Sequence, residues 1–125
     1  MLEVTFYRDD HDRFAGLSAR GHADFAEYGQ DIVCAAVSAI LQAARLGLEH
    51  FGGGALAASQ EPGAFAVIID ESRRDVESVQ AIVKTAELAV TQVVRRFPEH
   101  VSLRRERISQ DPGDSAPRRV NKAGG

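Results

Sequence analysis

Two residues of this 125-residue chain have the chemistry of a nucleophile and its base: Cys34, the sole cysteine, and His22, twelve positions before it. A thiolate is the attacking form of cysteine, so a reactive thiol needs surroundings that favour negative charge. Asp31 reads as a helix N-cap, which sets Cys34 at the third helical position. There the orphan backbone N–H groups and the helix dipole favour an anion. Cys34 also stands off the apolar stripe that Val33, Val37, Ile40, Ala44 and Leu48 form at helical spacing. His22 follows Gly21 at a strand end, ahead of a loop that returns the chain to the helix start. An imidazole so placed can take the thiol proton and later supply it to a leaving amine. N–H groups at the helix start, that of Cys34 included, could hold an oxyanion. Ser38, one turn beyond Cys34, either lines the pocket or bonds to its own helix. Asp31 acts as a cap, with or without a contact to His22.

Blander readings stand beside these. A lone cysteine is more often a small buried hydrophobe than a nucleophile, and a Cys–His spacing by itself is common. His11, His50 and His100 are scattered, so with one cysteine they make no metal-binding motif. Nothing in the chain calls for a cofactor.

The elements that must position this pair follow from periodicity. Leu2, Val4 and Phe6 alternate with Glu3, Thr5 and Tyr7, and Ala15, Leu17 and Ala19 alternate in the same way. With Asp9 to Asp12 as a turn, these two segments read as a β-hairpin. The loop from Ala23 to Gln30 carries Phe25, Tyr28 and Gly29; either it is mobile and closes on a ligand that Phe25 and Tyr28 contact, or it is an ordinary surface loop whose aromatics pack on the core. A helix runs from Asp31 to the Gly52-Gly53-Gly54 stop. Residues 55–60 and 64–70 form a second hairpin around Glu61-Pro62-Gly63, its second strand apolar enough to be central. Ser72 and Asp75 suggest a capping box for a second helix that buries Val76, Val79, Val83, Ala86, Val90, Val93 and Phe97 before Pro98. A last strand over 100–107 carries Arg104, Arg105 and Arg107, charges that suit a sheet edge. The order ββα-ββα-β predicts an α+β fold of two layers, an antiparallel sheet with two helices on one face. One domain spans residues 1–109. The remainder, 110–125, is rich in Pro, Gly, Asp and Arg and is expected to be disordered.

Charge narrows the partners. A net charge of -3 argues against a whole-surface grip on nucleic acid, so direct binding is not expected. No segment reads as a bilayer span or a signal peptide, which points to a cytoplasmic protein without membrane contact.

The segment Gly21-His22-Ala23, followed by Gly29-Gln30-Asp31-Ile32-Val33-Cys34-Ala35-Ala36-Val37-Ser38, resembles the ribosomal-processing cysteine protease family Prp. The likeness extends in outline from Met1 to about Ile108 and excludes the tail. It implies a homodimer with an α+β fold, a catalytic pair at His22 and Cys34, and supporting positions at Gly21, Asp31 and Ser38. It implies as substrate a short N-terminal extension on large-subunit ribosomal protein number twenty-seven, cut in an aromatic stretch before a small residue. Two other classes remain open. One is a non-catalytic ribosome-associated assembly or binding factor, supported by Arg104, Arg105, Arg107, Arg118, Arg119 and Lys122. The other is a thiol switch at Cys34.

Overall fold

The computed structural model describes residues 1–21, 28–52, 56–61 and 63–108, with only the backbone for 28–31, 56 and 57. The strands are β1 (Leu2–Arg8), β2 (Phe14–Arg20), β3 (Leu56–Glu61), β4 (Ala64–Ile69) and β5 (Val101–Arg107). The helices are α1 (Tyr28–Phe51) and α2 (Glu77–Arg96), which gives the ββα-ββα-β order. One five-stranded sheet has the spatial order β3-β4-β2-β1-β5. Alternation decides its two faces. Leu2, Val4, Phe6, Leu17, Ala19, Phe65, Val67 and Ile69 are buried toward the helices. Their in-between neighbours lie on the other face, where Ile68 is exposed.

The sheet is antiparallel through β3, β4, β2 and β1, and β4 is central as its apolar run suggests. The last strand departs from the antiparallel expectation: β5 runs parallel to β1, pairing Leu2 with Val101 through Arg8 with Arg107. The physical reason is that β2 is already flanked by β1 and β4, so the open edges left to the chain after α2 are the far sides of β3 and β1, and β5 takes that of β1. A helix-length crossover enters such an edge parallel as readily as antiparallel. The position of β5 at the sheet edge agrees with its charges.

The helices cover the sheet through their apolar stripes. On α1 the buried set is Val33, Val37, Leu41, Ala44 and Leu48, with Leu41 in place of the expected Ile40, which is half-buried. On α2 it is Val79, Val83, Ala86 and Val90, flanked by half-buried Val76, Val93 and Phe97. Glu87 is also buried on α2, its carboxylate accepting from Lys84 Nζ at 3.0 Å and Arg105 Nε at 3.0 Å. The expected capping box of Ser72 and Asp75 is not formed. Asp70 accepts from the Ser72 N–H at 3.0 Å and caps a short 3₁₀ turn, Glu71–Arg73. Val76 is the N-cap of α2 and makes no side-chain cap bond. Asp75 instead pairs with Arg13 at 3.0 Å.

Two further expectations change. α1 begins at Tyr28 rather than after Asp31. Asp31 therefore lies in the first helical turn, where an acid is as welcome as at the cap, so residue type alone could not separate the two positions. Also, Ile32–Phe51 is long and apolar enough to span a bilayer, contrary to the expectation. The cause is an outer face rich in alanine, added to an inner stripe that the sheet and α2 bury.

Candidate functional site

Cys34 is the seventh residue of α1, half-buried, and packs against the core. The expected third position is therefore corrected. At the seventh, its backbone N–H belongs to the intrahelical ladder and lies beyond the orphan groups of the first turn. The dipole argument and the oxyanion role for this N–H lose their geometry. The sulfur instead sits beside a cavity of about 200 Å³ lined by residues of α1, the end of β2 and the β3–β4 hairpin.

The elements that shape this cavity can be traced to particular residues. The α1 wall presents Cys34, Ser38 and Gln42 at successive turns, above Val37 and Leu41. The opposite wall is the hairpin, with Gln60, Glu61, Gly63 and Ala64, while Phe65 and Ala19 close the base. Gly21 ends β2 with φ +94°, a left-handed conformation that favours glycine. A Cβ there would also meet the Met1 carbonyl oxygen at 2.3 Å. Its N–H donates to the Gly63 carbonyl at 3.0 Å, and Gly63 itself has φ +77°. This bond ties the strand end that precedes His22 to the hairpin turn across the groove. Across the walls, Gln42 Nε2 donates to Gln60 Oε1 at 2.9 Å.

Of the residues singled out in the sequence, the cavity brings together Gly21, Cys34 and Ser38, the last exposed at the rim. His22 and Phe25 lie outside the described residues, as does the whole proposed closing loop up to residue 27 and the tail from 109. Tyr28 and Gly29 open α1 and do not belong to a loop, and Asp31 follows in the same helical turn. Sequence reasoning missed the other half of the site: Gln42, Gln60, Glu61 and Phe65. The helical repeat Cys34, Ser38, Gln42 was available as a signal for the first of these. The hairpin residues carried none, because only the packing of β3 and β4 beside α1 brings them there. Among the described residues, no group of three His, Cys, Asp or Glu side chains is placed to hold a metal ion.

The far end of the sheet has a contrasting polar cluster. Asp9 and Arg74 are both buried and form an ion pair at 3.2 Å. Burial pushes the Asp9 carboxyl up, but bonds from the Arg13 N–H and guanidinium, the His11 N–H and Arg74 outweigh it and hold it at about 2.

With this geometry established, comparison with known proteins decides the family. Residues 1–102 match the family described as Cysteine protease Prp. The chain belongs to the Prp cysteine protease family. The Ribosomal processing cysteine protease Prp of Bacillus subtilis (strain 168) is 42% identical over 41 residues, 33% of this chain and 37% of that relative's length. The crystal structure of SMU.848 from Streptococcus mutans superposes with a TM-score of 0.78 at 26% identity, over 86% of this chain and 99% of that one. The essential ribosomal processing protease Prp from S. aureus, in complex with a covalently linked product peptide, superposes with a TM-score of 0.69 at 23% identity. That match covers 84% of this chain and 99% of the other, and at such identity shows a shared fold. The Prp fold is thus the α+β arrangement of one mixed sheet and two helices described above.

Proposed function

We propose that this chain is a cysteine endopeptidase that removes a short N-terminal extension from large-subunit ribosomal protein number twenty-seven. The observation that carries the reading is that the sole thiol, Cys34, opens onto a groove that Gly21, Val37 and Ser38 of the family motif also line. In this reading His22 takes the Cys34 proton as Sγ attacks the scissile carbonyl carbon. The C–N bond breaks as the imidazolium gives that proton to the departing amine, leaving a thioester on Cys34. Water, deprotonated by His22, then attacks the thioester and releases the acid with the thiol restored. Because Cys34 lies beyond the first turn of α1, activation falls to the imidazole rather than to the helix dipole. A relative that holds a covalently linked product peptide supports covalent chemistry in this fold. The groove suits an apolar peptide, since Val37, Leu41 and Phe65 form its floor. Gly21 shapes the strand end, and Ser38 and Asp31 support the helix that carries Cys34. In this reading Phe25, with Tyr28 and Gly29 at the start of α1, contributes a substrate-facing segment ahead of Cys34.

The reading includes a second copy of the chain and a cytoplasmic setting. Ile32, Ala36, Ala39, Ala43 and Leu46 recur at steps of four and three along α1 and are all exposed, Ile32 by 50% and Leu46 by 59%. Such a seam supports helix-to-helix pairing across a dimer. The alternative of a ribosome-binding factor draws less support. Arg104 pairs with Glu106 at 2.6 Å, Arg105 with Glu87 at 3.0 Å and Arg107 with Asp12 at 3.1 Å, so these cations are already matched by acids.

The test is digestion of a peptide spanning the extension of the host's own ribosomal protein, read by mass spectrometry, with Cys34→Ala as control. One cut that the control lacks is expected. An uncut peptide, with the folded protein confirmed, would move the assignment to another substrate or to a binding role.

A further inference from the structure

The end of the groove distant from Cys34 has a chemistry of its own. Gln42 and Gln60 meet there across the two walls, at 2.9 Å. Which atoms face which is settled by a chain of bonds. Glu49 accepts from an Arg45 guanidinium nitrogen at 3.1 Å, and Arg45 Nε donates to Gln42 Oε1 at 3.2 Å. Arginine has donors and no acceptor, so Gln42 must turn its oxygen toward Arg45 and its nitrogen toward Gln60. Gln60 must then present its own oxygen to that nitrogen. Both carboxamide oxygens are engaged in this way. The pair has four N–H bonds, and the bridge uses one of them. Three N–H bonds of the pair remain for a ligand against one further lone pair on each oxygen, so the free capacity of the wall is weighted toward donation.

The position of this wall relative to the sulfur sets which part of a peptide could reach it. Cys34 and Gln42 are eight residues apart on one helix, a rise of about 12 Å at roughly 1.5 Å per residue. An extended peptide advances about 3.3 Å per residue. A chain with its scissile carbonyl at Cys34 thus brings a residue three or four places away to Gln42 and Gln60. Between the two points it lies over Val37, Leu41 and Phe65. The Glu61 carboxylate at the rim disfavours an acid arriving there.

We propose that Gln42 and Gln60 form a specificity-determining wall that binds a neutral amide carbonyl of the substrate, three or four residues from the bond that is cut. This rests on the peptidase reading above. The carbonyl belongs either to a Gln or Asn side chain or to the peptide backbone. Arg45 is a positioning residue, since it acts by orienting Gln42.

The experiment uses the full-length protein and a peptide that it cleaves. The residues three and four places from the bond, on each side, are set in turn to Gln, norleucine and Glu. In a parallel series the backbone carbonyl at those places is replaced by a methylene. At one place wild type is expected to favour Gln over norleucine, or the intact carbonyl over the methylene, by about threefold to tenfold in kcat/KM. Whichever series responds identifies the source of the carbonyl. Gln42→Leu and Gln60→Leu should erase that preference, read within each variant as the ratio of kcat/KM for the paired peptides. Arg45→Leu should reduce it in part. A purely structural role would lower all peptides equally and leave the ratios intact, and that result would overturn the proposal. A wild-type protein that cleaves no peptide would instead overturn the peptidase reading on which it rests.

Discussion

The two ends of the sheet solve opposite problems with similar residues. At one end, where β1 turns into β2 and β4 leads toward α2, Asp9 is surrounded by donors. Its carboxylate accepts from the N–H groups of His11 at 2.9 Å and Arg13 at 3.0 Å, and from the side chains of Arg13 and Arg74. Nearly every lone pair is used, and the arginines tie the first hairpin to the segment before α2. At the other end, where β2 stops at Gly21 and the β3–β4 turn begins, the walls stand apart and leave a cavity of about 200 Å³ beside Cys34. Here polar groups line a rim instead of filling a core. A saturated network gives the fold rigidity, and an open groove next to a thiol gives it chemistry. Changes at the first end should therefore move stability and leave turnover per folded molecule alone, while changes at the second should do the reverse.

The largest effect expected is at the groove. Cys34→Ala should lower peptide cleavage by at least about 10³-fold, with a melting temperature close to wild type, because the side chain is half-buried and the change is small. Cleavage assays beside thermal melts check both halves. Next in size is Arg74→Ala at the opposite end. It strands the buried Asp9 carboxylate without one of its two guanidinium partners and should cost about 3 kcal/mol in denaturant unfolding. The folded fraction should keep wild-type kcat/KM.

Acid titration gives a finer separation. Asp9 is held at about 2 against an ordinary 3.8, so its folded form favours the charged state. The stability this confers is fully present above about pH 5 and is lost as pH falls toward 2, roughly 2 kcal/mol in all. Asp9→Asn should be less stable at neutral pH and should flatten that part of the curve. Gly21→Ala sharpens the comparison, since it touches the groove and the fold together. The left-handed backbone and the Met1 carbonyl in the way predict a loss of about 1–2 kcal/mol and a weaker grip on peptide, seen as a raised KM. Arg104→Ala should be the smallest, within about 0.5 kcal/mol, because its pairs with Glu3 and Glu106 are solvent-exposed.

How much of this was legible before the structure depends on how local each signal is. The apolar stripes of α1 and α2 and the alternation in β1 and β2 follow from periods of 3.6 and 2, so the α+β class, the element order and most of the core could be read directly. Helix starts were less secure. Asp31 is suited to either the cap or the first turn, and Ser72 with Asp75 mimics a capping box whose members take other partners, Asp70 and Arg13. The direction of β5 and the hairpin wall opposite Cys34 were not legible, because both depend on which strand edge remains free once the others have paired. Cys34, Ser38 and Gly21 were found from their own motif, whereas Gln60 and Glu61 reach the site only through the sheet order.

The measurement that tests the account most directly is covalent trapping at the groove. A peptide matching the amino-terminal side of the cleaved bond, ending in a chloromethyl ketone, would be added at equimolar ratio. Intact mass and tandem mass spectrometry would then locate the adduct. The account predicts one adduct per chain, on Cys34, formed far more slowly in His22→Ala and blocked by the uncut peptide. Labelling elsewhere, or cleavage of the uncut peptide by Cys34→Ala at the wild-type rate, would contradict it.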